Sequence, residues 1–320
     1  MSIKLDDTLL VKLNIYSDLL VLKIMENTFI LIAGGSGLIG KRLYDHLYEK
    51  GFNVSILSRN KKEKNAYYWN PEKGEIDTTI LHKVTHLINL SGVSIAGARW
   101  SDSRKKEIIH SRVFSTEFLF KNKDHFHNLK HYISASGVSC YGVHDSNKLY
   151  SEEDAFGKDF LSEVVDKWEQ AADLFSSLCL VSKIRISPVL DSKGGFITEM
   201  KKPIQLGMGA VLGSGDQWMP WIHQRDLVAI FEFVINNKLG GVYNAVSGNV
   251  SNRTLTQMIA RKLNRPLILP ALPSWTAKMI FGEMATLFLD GVQISNDKIK
   301  DHGFKFHYLD LDIALNQVLI

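Results

Sequence analysis

The chain has 320 residues, 45% hydrophobic and 22% charged, enough for a sizeable core in one large domain with a lobe or in two domains. Its formal charge is only +4, and its basic clusters (Lys61, Lys62 and Lys64; Arg104 to Lys106; Lys201 and Lys202) are short and scattered, which argues against nucleic acid as the main partner because a dedicated binder gathers Lys and Arg on one face. Two cysteines, Cys140 and Cys179, give neither a disulfide framework nor a metal spacing, so a reducing cytoplasm and no metal are expected; no apolar run reaches membrane-spanning length, so no membrane partner is expected.

In residues 1–24 the leucines at 9, 10, 13, 19, 20 and 22 are interrupted by Asp6, Asp7 and Asp18. There is no basic n-region followed by a small-residue cleavage site, which argues against a secretory signal. Two readings stand: an N-terminal extension upstream of a natural start at Met25, or a short helix packed on the domain. The stretch from Asn27 to Gly40 carries the strongest signal. Phe29 to Ile32 reads as a buried strand, and Gly34, Gly37 and Gly40 follow at the spacing of a dinucleotide loop, with Leu38 and Ile39 opening an amphipathic helix that Gly51 stops. Glycines in this context permit a tight turn, close approach of backbone to a pyrophosphate and close packing of helix on strand, with the helix N-terminus facing the anion.

Phe52 to Leu57 predicts a second strand ending in Ser58 and Arg59. A nicotinamide site of this pattern handles the adenosine ribose about 20 residues past the glycines, with Asp or Glu for NAD. Here a serine and a guanidinium stand instead, which points to NADP, Arg59 clamping the 2′-phosphate; the alternative is an arginine that merely faces water. Tyr67 to Trp69 suggests a third strand, and Val84 to Leu90 another, running into Ser91 and Gly92, where the chain turns close to a ligand. From Ser103 to Leu119 the positions Ile108, Ile109, Val113, Phe114 and Phe118 have helical spacing and leave Glu107 and Arg112 off that face, as a solvated surface.

His131 to Ile133 opens into a small-residue strand end, Ser134 to Gly142. Asp159 to Phe175 predicts an amphipathic helix and Val181 to Ile186 a sixth strand, followed by Pro188 and Val189. The alternation of strand and helix predicts an α/β fold, a doubly wound parallel sheet. A helix from about Asp226 to Asn236, a last sheet strand at Val242 to Ala245 and a capped helix at Thr254 to Leu263 follow. The expected organisation is a Rossmann domain over 25–250, with 190–220 contributing to a substrate lobe, and a small C-terminal domain over 251–320.

The motifs GGSGLIG, Asn-Leu-Ser-Gly, ISASGVSCYG and Trp-Ile-His-x-x-Asp-Leu resemble the extended short-chain dehydrogenase/reductases. RWSDSRKKEIIHSR, DKWEQAA, LGSGDQWMPWIH and GFKFHYLDLDIAL narrow the resemblance to an atypical branch, the epimerase family proteins with their own C-terminal domain. The resemblance covers nearly all of residues 25–320. It implies an NADP-binding domain and a smaller lobe with the active site between them. By position it implies Ser58 and Arg59 at the 2′-phosphate, Leu90 and Ser91 along the cofactor, Glu107 and Arg112 reaching it from their helix, and Val189 at the nicotinamide end.

The superfamily's Tyr-x-x-x-Lys is missing: none of the ten tyrosines has lysine four residues later, and Leu161 and Val165 occupy the two positions. Neither can move a proton. Ser136 matches the family's catalytic serine and reads equally as a donor or as a small residue beside the cofactor. Tyr141 and His223 are substitute acids, with a buried, backbone-satisfied imidazole the alternative for His223. Two functions remain open: an NADP-dependent oxidoreductase or epimerase acting, as a monomer or homodimer, on an unknown small polar substrate, and a non-catalytic NADP(H)-responsive regulatory protein.

Overall fold

The apolar run after Asn27 forms the centre of the protein in a computed structural model whose described residues are 28–60, 62–142 and 148–319. The extension expected over residues 1–24 and the start at Met25 lie outside them. Strand β1 (Phe29–Ala33) sends Ile30 and Ile32 to one face and Leu31 and Ala33 to the other, the alternation of a strand covered on both sides. Burying each such isoleucine or leucine fully is worth about 1.5–3 kcal/mol.

Helix α1 (Leu38–Glu49) leads to β2 (Asn53–Ser58), β3 (Ala66–Asn70), the short β4 (Glu75–Ile76) and β5 (His86–Asn89). Helix α2 (Asp102–Lys121) precedes β6 (His131–Gly137) and β7 (Leu149–Tyr150), and α3 (Phe160–Asp173) precedes β8 (Leu180–Ile186) and β9 (Val189–Leu190). Then come α4 (Phe196–Gln205), β10 (Trp218–His223), α5 (Gln224–Asn236), β11 (Gly241–Ala245), β12 (Gly248–Ser251) and α6 (Asn252–Lys262). The tail holds α7 (Ser274–Phe281), α8 (Thr286–Leu289), β13 (Gln293–Ile294), α9 (Asp297–Asp301) and α10 (Leu311–Leu319).

Eight strands form one sheet in the order β11-β8-β6-β5-β1-β2-β3-β4, parallel except for β4, which pairs antiparallel with β3. Helices α1 and α5 cover one face through Leu43, Leu47, Leu227 and Phe231; α2 and α3 cover the other through Phe118, Leu119 and Ala172. The strand order reverses at β1, whose neighbours are β2 and β5, and this places a crevice at its carboxyl end. One link departs from the expected alternation: among the described residues between β2 and β3 there is no helix. Only Ile56 to Ser58 pair with Ala66 to Tyr68, so the chain returns by a few residues and needs no long crossover.

A second core surrounds the three-stranded sheet β12-β10-β9, where Leu190, Ile204, Trp221, Leu255, Tyr308 and Leu315 meet between α4, α6 and α10. It begins at Leu190 and takes both β10 and β12, while α5 and β11, which lie between them in sequence, pack in the large core together with Ile299 and Phe304. Strands β7 and β13 pair, and a smaller cluster with Tyr141, Val165, Val246 and Ile294 lies where the two cores adjoin. Among the described residues no helix is long and apolar enough to cross a membrane.

Candidate functional site

The crevice at β1 is a groove of about 820 Å³. Gly34 sits at φ +77°, and a Cβ there would lie 2.8 Å from the Leu90 carbonyl, so the turn after β1 and the turn after β5 close on one another only with glycine. A Cβ on Gly40 would strike the Gly34 carbonyl, which is why the first turn of α1 can lie directly beneath the loop. Gly37 caps α1 with no side-chain hydrogen bond and no acid in the first turn, leaving the helix N-terminus open to an anion.

The groove brings together Gly34, Gly37, Ser58, Arg59, Leu90, Ser91, Gly92 and Glu107. Ser58 donates its hydroxyl to Glu63 at 2.7 Å and accepts the Asn60 N–H, so it offers that proton to a phosphate only by giving up Glu63. Arg59 is exposed and lines the groove with no partner among the described residues. Glu107 is exposed and held by Arg104 at 2.6 Å. Leu38, Ile39, Gly40, Arg112 and Val189 do not line this groove. Leu38 packs instead against Gly194 and Gly195, whose added Cβ atoms would lie 3.5 and 3.4 Å from its methyls, and Arg42 on the same helix forms a two-pronged ion pair with the buried Asp191. Val189 belongs to β9, paired with Ile222.

The expected solvated face of α2 is a correction. Arg112 is buried, together with Ile108, Ser115, Thr116 and Leu119, so the inner face is rotated from the apolar stripe. Arg112 donates to the carbonyls of Ile108 and Val93 and stacks over Trp168. Burial, with help from the charge on Arg104, lowers it to about 10, so it stays cationic at neutral pH beneath Gly92. Its Nε and the buried Ser91 hydroxyl have no partner among the described residues. Donors left open beside a glycine cradle and a bare helix N-terminus fit a polyanionic dinucleotide.

The three candidate proton donors face neither the groove nor a second cavity. Ser136 donates to Glu169 at 2.6 Å, and Glu169 is paired on both oxygens with Arg185. Tyr141 is fully buried, donates to Asn244 and accepts from Arg185, and burial pushes its phenol well up. His223 is the N-cap of α5: its Nδ1 accepts the Arg225 N–H, its ring stacks on Tyr308, and burial lowers it to about 4. An imidazole held neutral with one nitrogen accepting from backbone is a structural cap.

The second cavity holds about 300 Å³. The turn after β6 supplies Ser139, the start of α3 supplies Phe160 and Leu161, Pro188 precedes β9, β10 supplies Trp218, and the tail supplies Asp290. Ser139 has no hydrogen bond on its hydroxyl to the described residues, and a Cβ on Gly137 would lie 3.4 Å from it, between Ser139 and Val165. Leu161 and Val165 are both buried. Trp100 meets Phe160 edge to face at 5.1 Å. Gly291 lets the tail pass so close to the Trp218 carbonyl that any Cβ would collide with it. Sequence reading missed Ser139, which the reversal into a 3₁₀ turn over Val138–Tyr141 brings round, as well as Asp290 and the groove wall at Trp69 to Glu72.

A doubly wound sheet with a glycine-loop groove at its switch point and a lobe lining a second cavity defines a Rossmann-type dinucleotide fold. Residues 30–245 match the NAD dependent epimerase/dehydratase family, and residues 272–318 match a domain of unknown function, DUF1731. The chain is 31% identical over 297 residues to the epimerase family protein SDR39U1 of Mus musculus, covering 91% of this chain and 99% of that one. It is 34% identical over 296 residues to an epimerase family protein of Mycobacterium bovis, covering 91% and 97%. The crystal structure of human epimerase family protein SDR39U1 with NADPH superposes with a TM-score of 0.82 at 28% identity, covering 91% of this chain and 99% of that one. The protein belongs to the NAD dependent epimerase/dehydratase family, in the branch of the epimerase family proteins.

Proposed function

We propose that the protein binds NADP(H) and uses it in an oxidoreductase or epimerase reaction on a small polar substrate held in the cavity. One observation carries the cofactor choice: at the end of β2 the Arg59 guanidinium, with no partner among the described residues, lines the groove, in reach of a 2′-phosphate and suited to pair with it on two oxygens. The NADPH of the human relative supports the same choice. Pro188, beside Val189, lines the cavity, which supports the nicotinamide end of the groove as its neighbour. When bound, the cofactor supplies hydride transfer; the chain's own residues hold the dinucleotide, exclude water and position the substrate oxygen, toward which the Ser139 hydroxyl, without a hydrogen bond to the described residues, is a donor lining the cavity. The two unpaired thiols, Cys140 buried and Cys179 partly so, suit a reducing cytoplasm.

Titration of protein fluorescence with NADPH and NADH, on the native protein and on Arg59→Ala, tests the cofactor choice. The variant is expected to weaken NADPH about ten- to hundredfold, the worth of a charge-assisted pair, and to leave NADH unchanged; equal weakening of both would sink it. A second reading, a cofactor-responsive binding protein without turnover, is favoured by Leu161 and Val165 at the Tyr and Lys positions, both buried and unable to move a proton. Tight NADPH binding with no oxidation of it across a panel of carbonyl compounds and sugars would favour that reading over the first.

A further inference from the structure

The cavity's walls are mostly apolar, with rings from Trp100, Phe160 and Trp218. The Trp100 indole N–H is committed to the Ile95 carbonyl, so that ring offers carbon. Among the described residues no Lys or Arg lines the cavity, and three carboxylates do: Asp159, Glu283 and Asp290. Two of them have occupations. Asp159 caps α3, accepting from the Leu161 and Ser162 N–H groups on one oxygen and from the Ser162 hydroxyl on the other. Glu283 is paired with Lys105. Asp290 is half-buried; its backbone N–H is bonded to the Thr286 carbonyl, and its carboxylate has no hydrogen bond or ion pair to the described residues.

We propose, resting on the NADP(H) oxidoreductase reading, that the cavity takes a phosphate-free ring alcohol or ketone and that Asp290 exchanges the proton of its oxygen, with Ser139 donating a hydrogen bond to the same atom. The volume suits a single ring, and flat apolar walls suit its faces. A diphosphate would carry its charges into a space with three carboxylates and no lining cation, where like charges repel more strongly than in water. Burial holds the Asp290 carboxyl above the ordinary carboxylate range; Lys278 of α7 opposes this and Asp159 reinforces it, while the Glu283–Lys105 pair is internally balanced. A carboxyl whose pKa burial raises is shifted in the direction that a general acid requires. In reduction, the carbonyl carbon accepts a hydride and its two electrons from the reduced nicotinamide, the C=O π pair moves to oxygen, and that oxygen takes the Asp290 proton. The products are the alcohol, oxidised nicotinamide and the Asp290 carboxylate, which regains its proton from water.

The test follows tryptophan fluorescence, since Trp100 and Trp218 line the cavity, with cyclohexanol and uridine diphosphate as probes on the NADPH-saturated protein, together with the rate of cyclohexanone reduction against pH. Cyclohexanol is expected to give a saturable change that uridine diphosphate neither produces nor competes away. Asp290→Asn should keep its NADPH affinity within about twofold and melt no lower than the native protein, because it removes a poorly solvated charge. It should lose about a hundredfold in reduction rate, in the range for loss of a general acid, along with the fall in rate as pH rises. Asp290→Glu, which keeps the acid, should restore part of the rate and the pH dependence. Displacement of cyclohexanol by uridine diphosphate, no cyclohexanol signal, or an Asp290→Asn rate and pH profile equal to the native ones would each overturn the proposal. Failure of NADPH itself to bind would overturn instead the reading on which it rests.

Discussion

The groove and the cavity are assembled from contrasting materials. The groove takes its lining from residues 34 to 115, and its anion-binding part combines main chain, a glycine turn and an open helix N-terminus, with side-chain donors on Arg59, Ser91 and Arg112. The cavity takes side chains from residue 100 to residue 294, most of them apolar, and its charged groups are acids. A cradle made of backbone tolerates little change in shape, whereas a cavity made of side chains is set by whichever residues line it. One scaffold can therefore keep a cofactor and change a substrate.

Gly40→Ala attacks the first region alone. The new Cβ would collide with the Gly34 carbonyl, so the loop must open. NADPH affinity is expected to fall more than about a hundredfold, the scale of losing several phosphate contacts at once, while cyclohexanol still perturbs tryptophan fluorescence. Loss of both signals in a protein that still melts cooperatively would mean the regions are not separate.

Acid should act on the sheet and on the cavity with opposite signs. Burial lowers His86 to about 4 and His131 to about 3, at the first residues of β5 and β6, the end of the sheet away from the crevice. The His131 Nε2 donates to the Ser182 hydroxyl, which itself donates to the Leu239 carbonyl, so a second proton on Nδ1 would find no acceptor. The unfolded chain binds these protons below about pH 6.5 and the native protein does not until about pH 4 or lower, so their stability contribution is present above pH 6.5 and lost as pH falls. A loss of order 1–3 kcal/mol per imidazole is expected between those limits, read as a falling melting temperature. Asp290, raised in the native state, contributes the other way: its proton is bound more readily in the folded protein, so acid favours the fold there. A melting temperature unchanged from pH 7 to pH 5 would count against the histidine account.

The two serines give the smallest and sharpest contrast. Ser136→Ala should lower stability by about 1 kcal/mol, the net worth of a buried hydrogen bond, and leave turnover within about twofold. Ser139→Ala should do the reverse, with an unchanged melt and a turnover lower by about tenfold, a single substrate hydrogen bond. Urea titration and steady-state rates on both variants decide it; the opposite pattern would return Ser136 to the site.

The glycine loop, the strand ending in Arg59 and the turn at Ser91 were legible because each signal is local: a backbone requirement written in adjacent residues. Arg112 was not, because which face of α2 points inward is settled by the loop above it and by Trp168, and its own stripe of isoleucines and phenylalanine suggested another face. Ser139 was hidden by the 3₁₀ turn that ends the alternation of β6, and the match to the family's catalytic serine selected Ser136. Asp290 lies in a tail without periodicity, and only the packing of that tail over β10 gives it a cavity to face. The wall at Trp69 to Glu72 follows from the short return between β2 and β3, which no motif announces.

The interleaving of the two cores bears on how such a protein can be taken apart or grafted. The polypeptide enters the small core at Leu190, leaves it for α5 and β11, re-enters at Val250, visits the large core again at Ile299 and Phe304, and ends in the small one. No single scission yields two complete pieces, so limited proteolysis should release no stable fragment. A contiguous graft of residues 190–319 onto another dinucleotide scaffold would carry α5, β11, Ile299 and Phe304 away from the sheet they pack on.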